Sequence, residues 1–344
     1  MTFSSIIGHD RPVSILKRAI QNDAVAHAYL FSGEQGIGKR LTAYAFAAAL
    51  NCQAAGPAGG CGVCSSCRKA ASSTHPDVRV VMPESHDEQH LATLSSKEAA
   101  KASDEIKIDQ IRRAQESISL KPSEGQKKVL IVDSAETMND AAQNAFLKTL
   151  EEPPGDSLII LITAMPQSLL PTIRSRCQEL KFQPLPRPVL AEVLREKRGL
   201  DAGDAWFAAA LSRGSLGRAL DMDVQKEKTD REQFLALWEG LGGMRNDEIL
   251  ALADGVAKDR EGFDRILDIG IEWLRDRLVY QETGDERLLV FAGGIDRIRS
   301  EQDRFSLHKA LGDMALFILS RDLLERRISA QLVAENLFLK LGRA

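Results

Sequence analysis

Apolar positions along the 344-residue chain follow two regimes. In residues 1–184, short continuous apolar runs alternate with stretches in which apolar residues recur every three or four positions. The runs are Ala28-Tyr29-Leu30-Phe31, Val78-Arg79-Val80-Val81, Lys128-Val129-Leu130-Ile131-Val132-Asp133 and Leu158-Ile159-Ile160-Leu161-Ile162-Thr163. Runs of this length predict strands, and the last two, rich in β-branched residues, predict strands buried on both faces. Helical spacing predicts a helix over Ile7–Asn22, with Val13, Leu16 and Ile20 on one face. Others are predicted over Leu41–Asn51, Ile108–Leu120 and Asp140–Glu152, the last stopped by Pro153-Pro154-Gly155. Pro171 opens a short helix that runs into Arg174-Ser175-Arg176-Cys177. This alternation predicts an α/β fold whose parallel sheet is covered on both faces and takes ligands at the carboxyl ends of its strands.

The second regime follows a linker marked by Pro184, Pro186 and Pro188. Residues 185–224 read as a small helical domain in which Gly214-Ser215-Leu216-Gly217-Arg218 starts a helix. Residues 225–344 are helical throughout. Phe263, Ile266, Leu267, Ile271, Leu274 and Leu278 keep one face apolar, and Leu332, Leu337, Phe338 and Leu341 do the same near the end. Between the second and third apolar runs, Glu84–Asp104 is polar and lacks aromatic residues, which predicts a surface insertion. Its His86 and His90 lie four apart, but the intervening residues do not make a metalloprotease motif, and solvated histidines are expected.

Composition narrows the function classes. Hydrophobic residues make up 44% and charged residues 27%, as in ordinary globular domains. The net charge is −4, with no Lys/Arg block, which argues against free-standing, charge-driven nucleic-acid binding and leaves DNA contact within an assembly open. No apolar run has membrane-spanning length, and Met1-Thr2-Phe3-Ser4-Ser5 lacks the features of a signal peptide, so a cytoplasmic location is expected. In that compartment the five cysteines are read as metal ligands before disulfides.

Two motifs carry chemistry. Gly33-Glu34-Gln35-Gly36-Ile37-Gly38-Lys39 stands between a predicted strand and a predicted helix, the context of a phosphate-binding loop. Gly33, Gly36 and Gly38 let backbone N–H groups turn toward phosphate, and Lys39 supplies a cation. The following position, where Ser or Thr would ligate Mg²⁺, holds Arg40, so phosphate binding stays possible while the metal site is broken. The second motif is C-x8-C-x2-C-x2-C, formed by Cys52, Cys61, Cys64 and Cys67 within a glycine-rich insertion (residues 52–67). Four thiolates close a tetrahedral structural zinc site. Cys177 stands apart from them.

Together these features resemble the AAA+ clamp-loader subunits of bacterial DNA polymerase III. The resemblance rests on His27-Ala28-Tyr29-Leu30-Phe31-Ser32-Gly33, the four-cysteine insertion, Leu147-Lys148-Thr149-Leu150-Glu151-Glu152-Pro153-Pro154 and Ser175-Arg176-Cys177. It covers roughly residues 1–220, and is greatest to the delta-prime type, with the tau/gamma motor as the alternative. It implies a RecA-like AAA+ module (1–184) carrying the zinc insertion, a small helical lid domain (185–224) and an all-α collar domain (225–344). It also implies a hetero-pentameric ring with delta and tau/gamma subunits that loads a sliding clamp on primed DNA. Arg176 becomes an arginine finger acting on a neighbour's ATP site, Thr163 a sensor-1 position and Arg218 a sensor-2 position. An ATP-hydrolysing member has an acid after the strand-end Asp. Here Asp133 is followed by Ser134, which cannot act as that base, and Glu136 lies beyond it. Arg40 and Ser134 together imply a non-hydrolysing member with ATP or ADP binding left open and Mg²⁺ not expected. A zinc-dependent DNA-binding module is the remaining, unrelated reading.

Overall fold

The computed structural model describes residues 2–56, 59–87, 91–92, 101–291, 294–300 and 306–342. Residues 88–90 and 93–100 of the predicted polar insertion, His90 among them, lie outside the described residues, as does Pro57 between the cysteines. The chain divides into two compact units, residues 1–189 with 214–218, and residues 190–213 with 219–344.

In the first unit, β1 (Ala28–Ser32), β2 (Val78–Val81), β3 (Lys128–Val132), β4 (Ser157–Thr163) and β5 (Gln178–Lys181) form one sheet in the order β2-β3-β4-β1-β5. Every neighbouring pair is parallel. The four predicted strands are all present. The fifth, β5, has no counterpart in the sequence reading, because Gln178-Glu179-Leu180-Lys181 buries only Leu180 and gives no apolar run. Its pairing with β1 makes it a strand, with Leu180 opposite Phe31.

Alternate residues of the central strands serve opposite faces. Tyr29, Phe31, Val129, Ile131, Ile160 and Ile162 pack with Leu16 of α1 (Asp10–Gln21) and Phe46 of α2 (Lys39–Leu50). Leu30, Leu130, Val132, Ile159 and Leu161 pack with Ile111 of α4 (Ile108–Ser119) and Phe146 of α5 (Asp140–Glu151). Neither face meets water, which is why these strands read as unbroken apolar runs. A short helix α3 (Ser65–Ala71) follows α2, and α6 (Pro171–Arg174) precedes β5. This is the expected α/β architecture, a parallel sheet covered by helices on both faces with a glycine-rich loop after β1.

The register sets the position of the chemistry. Ser32 lies opposite Thr163, and Val132 opposite Leu161, so the loop after β1, the end of β4 and Asp133 share the carboxyl edge of the sheet. At the other end, buried Asp77 pairs with Lys128 at 2.9 Å. Its carboxylate accepts N–H bonds from Ser123, Glu124 and Gly125 at 2.7, 2.8 and 2.7 Å. Burial alone would raise its pKa, but these donors and Lys128 outweigh it and hold the carboxyl well below the usual range.

Beyond residue 186, the regular elements among the described residues are all helical: α7 (Arg187–Arg198), α8 (Ala202–Leu211), α9 (Leu216–Asp221), α10 (Val224–Leu241), α11 (Asn246–Lys258), α12 (Arg260–Thr283), α13 (Ile295–Ser300), α14 (Leu307–Glu325) and α15 (Ala330–Gly342). In the second unit Trp273 fills the core together with Phe234, Phe263, Phe291, Phe317 and Phe338, none more than 2% exposed. Buried Arg231 is paired with Glu227 and Glu272 at 2.5 and 2.6 Å, so its charge is compensated. Among the described residues no helix is long and apolar enough to cross a membrane.

Candidate functional site

The loop between β1 and α2 turns through glycines. Gly33 has φ +145°, and a Cβ there would lie 2.5 Å from the Phe182 carbonyl oxygen. Gly36 has φ +76°; its Cβ would fall 2.3 Å from Ser215 Oγ. The Gly217 N–H donates to the Gly36 carbonyl at 3.1 Å, so the segment 214–218 belongs to the wall of this loop. Gly38 supplies the left-handed N-cap of α2.

Lys39 begins α2 and is 6% exposed. Its ammonium donates to the Gly33 and Glu34 carbonyls inside the loop. Burial lowers its pKa, against the pull of Glu136, Asp133 and Glu34. Gly36, Gly38, Lys39, Arg40, Asp133 and Thr163 line one open cavity of about 530 Å³. Gly33 lies at its root, donating its N–H to Thr163 O at 3.2 Å. Thr163 Oγ1 is occupied by the Met165 N–H at 3.0 Å. The side chain of Arg218 is exposed and absent from the cavity lining.

Inside the cavity Arg40 Nε lies 3.5 Å from Asp133 Oδ2. Burial raises the Asp133 pKa, and Arg40 is the largest influence opposing it. The Ser134 N–H donates to Asp133 Oδ1 at 3.0 Å. The strand-end carboxylate is thus engaged by a guanidinium and a backbone amide. Lys39 and Arg40 face Asp133 and Glu136, two cations against two carboxylates.

The other end of α2 leads into the cysteines. The sulfurs of Cys52, Cys61, Cys64 and Cys67 all lie within 4.8 Å of one another, and this cluster can hold a metal ion. Backbone amides already point at them: Ala54 and Cys61 N–H donate to Cys52 Sγ at 3.4 and 3.2 Å, Cys64 N–H to Cys61 Sγ at 3.3 Å, and Cys67 N–H to Cys64 Sγ at 3.4 Å. The last of these bonds draws the Cys64 thiol down to about 6, while burial pushes Cys67 up to about 12. Cys177 packs in the opposite core, and burial pushes its thiol up to about 12.

Arg176 lies just after α6. Its Nη2 donates to Glu151 Oε1 at 2.6 Å and its Nη1 to Thr172 O at 2.9 Å. Glu151 ends α5 just before Pro153-Pro154, so the two stretches quoted for the clamp-loader resemblance meet in an ion pair.

Residues 8–186, a little over half of the chain, match the family model described as DNA polymerase III, delta subunit. The DNA polymerase III subunit delta-prime of Pseudomonas aeruginosa is 36% identical over 78% of this chain and 76% of its own. This chain belongs to the DNA polymerase III delta-prime family. The delta-prime subunit of Bacillus subtilis is 29% identical over 96% of this chain and 95% of its own. The tau subunit of Salmonella typhimurium is 30% identical over 79% of this chain but only 41% of its own length.

In this delta-prime family member one residue that the sequence reading does not contain supports the loop from outside the cavity, and one that it names only as lying beyond Ser134 enters the cavity. His9, at the start of α1, places Nε2 2.5 Å from the Ile37 carbonyl oxygen and packs its ring edge-on to Phe182. It braces the loop from below, and burial lowers its pKa. No motif announces it. Glu136 lies three places beyond the strand-end Asp133. A 3₁₀ turn over Ala135–Thr137 swings it into the cavity, where Oε1 accepts the Ala164 N–H at 3.2 Å. Its signal was the third place after the strand-end Asp. His86, expected in solvent, is exposed at the mouth of the same cavity.

Proposed function

We propose that this chain serves as a non-hydrolysing delta-prime subunit of a bacterial clamp loader in the cytoplasm. The observation that carries this reading is the Arg40–Asp133 pair at 3.5 Å. In a hydrolysing site that carboxylate helps hold Mg²⁺ beside a Ser or Thr hydroxyl. Here a fixed cation takes the hydroxyl's position and engages the carboxylate. Ser134 offers no base for water, and Lys39, bonded to loop carbonyls, with Arg40, paired to Asp133, leaves at most a phosphate cradle for ATP or ADP.

In this reading the chain completes a neighbour's ATP site with Arg176. The Glu151 and Thr172 bonds support it by holding the guanidinium at the surface with further N–H groups available. Delta and tau/gamma subunits are the proposed ring partners, with the sliding clamp and primed DNA engaged through the complex. The subdivision into a module (1–184), lid (185–224) and collar (225–344) belongs to the same proposal. Leu307, Leu311, Ile318 and Leu319 support a collar partner, since they leave α14 with apolar side chains 44–50% exposed.

The ion proposed for the cysteine centre is structural zinc. A Zn–S bond of about 2.3 Å gives a sulfur tetrahedron with edges of about 3.8 Å, and Cys52 and Cys64 already stand 3.9 Å apart. Four ligands leave no open position, so the ion would fix the fold of the insertion and do no chemistry.

The deciding experiment is ATP turnover by the isolated chain with Mg²⁺, alongside Lys39→Ala. No turnover is expected; turnover abolished by Lys39→Ala would mean a motor subunit. In a reconstituted complex, Arg176→Ala should leave assembly intact and reduce clamp- and DNA-stimulated ATPase by roughly 10³-fold. An unchanged rate would remove the finger assignment.

A further inference from the structure

The second unit holds a cavity that the proposed function leaves unused. It opens between α10, α11 and the first turns of α12 and measures about 890 Å³. Leu237, Leu252, Val256 and Ile266 line it, each partly buried and packed on the core around Phe234 and Phe263. Asp221, Asp223, Glu227, Asp230, Asp259 and Glu261 ring it, against the two cations Lys226 and Arg265. Arg265 is committed to Glu227 and to Asp230. Asp223 and Asp259 cap the N-termini of α10 and α12, and Asp221 and Glu261 stand exposed. The rim is therefore strongly acidic over an aliphatic floor.

Gly255 supplies a second, independent observation. It sits inside α11 and lines the cavity. A Cβ at this position would meet no atom within 4 Å. Only proline is a poorer helix former than glycine, and packing among the described residues gives no reason for the missing side chain. Its effect is to leave the groove wall open to close approach by another backbone.

We propose that this groove docks a cationic amphipathic helix from a partner protein. Apolar residues at i, i+3, i+4 and i+7 would enter the aliphatic floor. Lys and Arg on the flanks would meet the carboxylates of the rim. The same charge disfavours nucleic acid, whose phosphates would be repelled.

The test uses the full chain and a fluorescein-labelled helical peptide with Leu on one face and Lys elsewhere, followed by fluorescence anisotropy. Saturable binding is expected, with the Glu-for-Lys counterpart weaker by about tenfold or more. Gly255→Leu fills the groove and should also weaken binding by about tenfold. Gly255→Ala should raise the melting temperature yet lower the affinity, an opposition that a purely structural role would not give. Absence of saturable binding, equal binding of the acidic peptide, or undiminished affinity in folded Gly255→Leu would each overturn the proposal. If Gly255→Leu does not fold, Gly255→Ala decides in its place: unchanged affinity overturns the proposal.

Discussion

Helix α2 carries a chemistry-bearing loop at each end, and the two loops use their polar groups in opposite ways. At its N-terminus, Lys39 and Arg40 stand beside an open cavity of about 530 Å³, engaged by loop carbonyls and by Asp133. At its C-terminus, four sulfurs converge within 4.8 Å, and backbone amides point at three of them. The first loop keeps the shape of a phosphate site while its charges answer one another. The second gathers four sulfur donors, a set that can hold a metal ion. The fold of the first loop does not depend on the side chain after Lys39, because glycine conformations and β1 hold it up. A cluster of thiols has no such support without a cation.

The largest break between the two ends is expected from the cysteines. Chelation, or Cys64→Ser, should release about one zinc per chain and cost about 3–5 kcal/mol, lowering the melting temperature by roughly 10 °C. Metal analysis and calorimetry would check this; a zinc-free native chain with four titrating thiols would remove the contrast. Because bound thiolates compete with protons, zinc loss should increase as pH falls.

A smaller effect should sharpen the other end. Arg40→Ser combined with Ser134→Glu restores a hydroxyl and an acid beside Asp133, and should make binding of a fluorescent ATP analogue Mg²⁺-dependent by about tenfold. Titrations with Mg²⁺ and with EDTA would show it. Mg²⁺-dependent binding by the unaltered chain would contradict the self-paired cavity.

The smallest effect concerns His9. Its pKa is lowered from 6.5 by burial, so the folded chain favours the neutral ring. The unfolded chain then binds more protons as the pH drops toward and below 6.5, and stability falls with it. His9→Gln should cost about 1 kcal/mol at neutral pH and reduce the loss between pH 7.5 and 5.5 in urea unfolding; His75, also lowered by burial, accounts for a remainder. An unchanged pH dependence would rule out His9 as a contributor.

The extent of legibility follows from how local each signal is. Strands β1, β3 and β4 were plain because both faces of each are buried, and β2, whose Arg79 is exposed, was plain from its three valines. β5 was not, since a polar edge segment becomes a strand only through its partner. The cysteine spacing and the phosphate-loop glycines were plain because their geometry is set within a few residues. Glu136 needed the turn after β3 to be seen, and His9 needed the packing of α1 beneath the loop. Arg218, expected near the nucleotide, has its backbone segment against the loop while its side chain is exposed outside the cavity.

The sequence by itself determined the α/β repeat, the loop at each end of α2, the substitution of Arg40 and Ser134 in the catalytic pattern, and the family. These depend on side-chain periodicity and on short-range spacing, both fixed along the chain. The tertiary structure alone decided that Arg40 engages Asp133, that Glu151 holds Arg176, and that Gly255 opens a groove rimmed with carboxylates. Those facts depend on strand register and helix packing, which bring together residues that no local pattern relates.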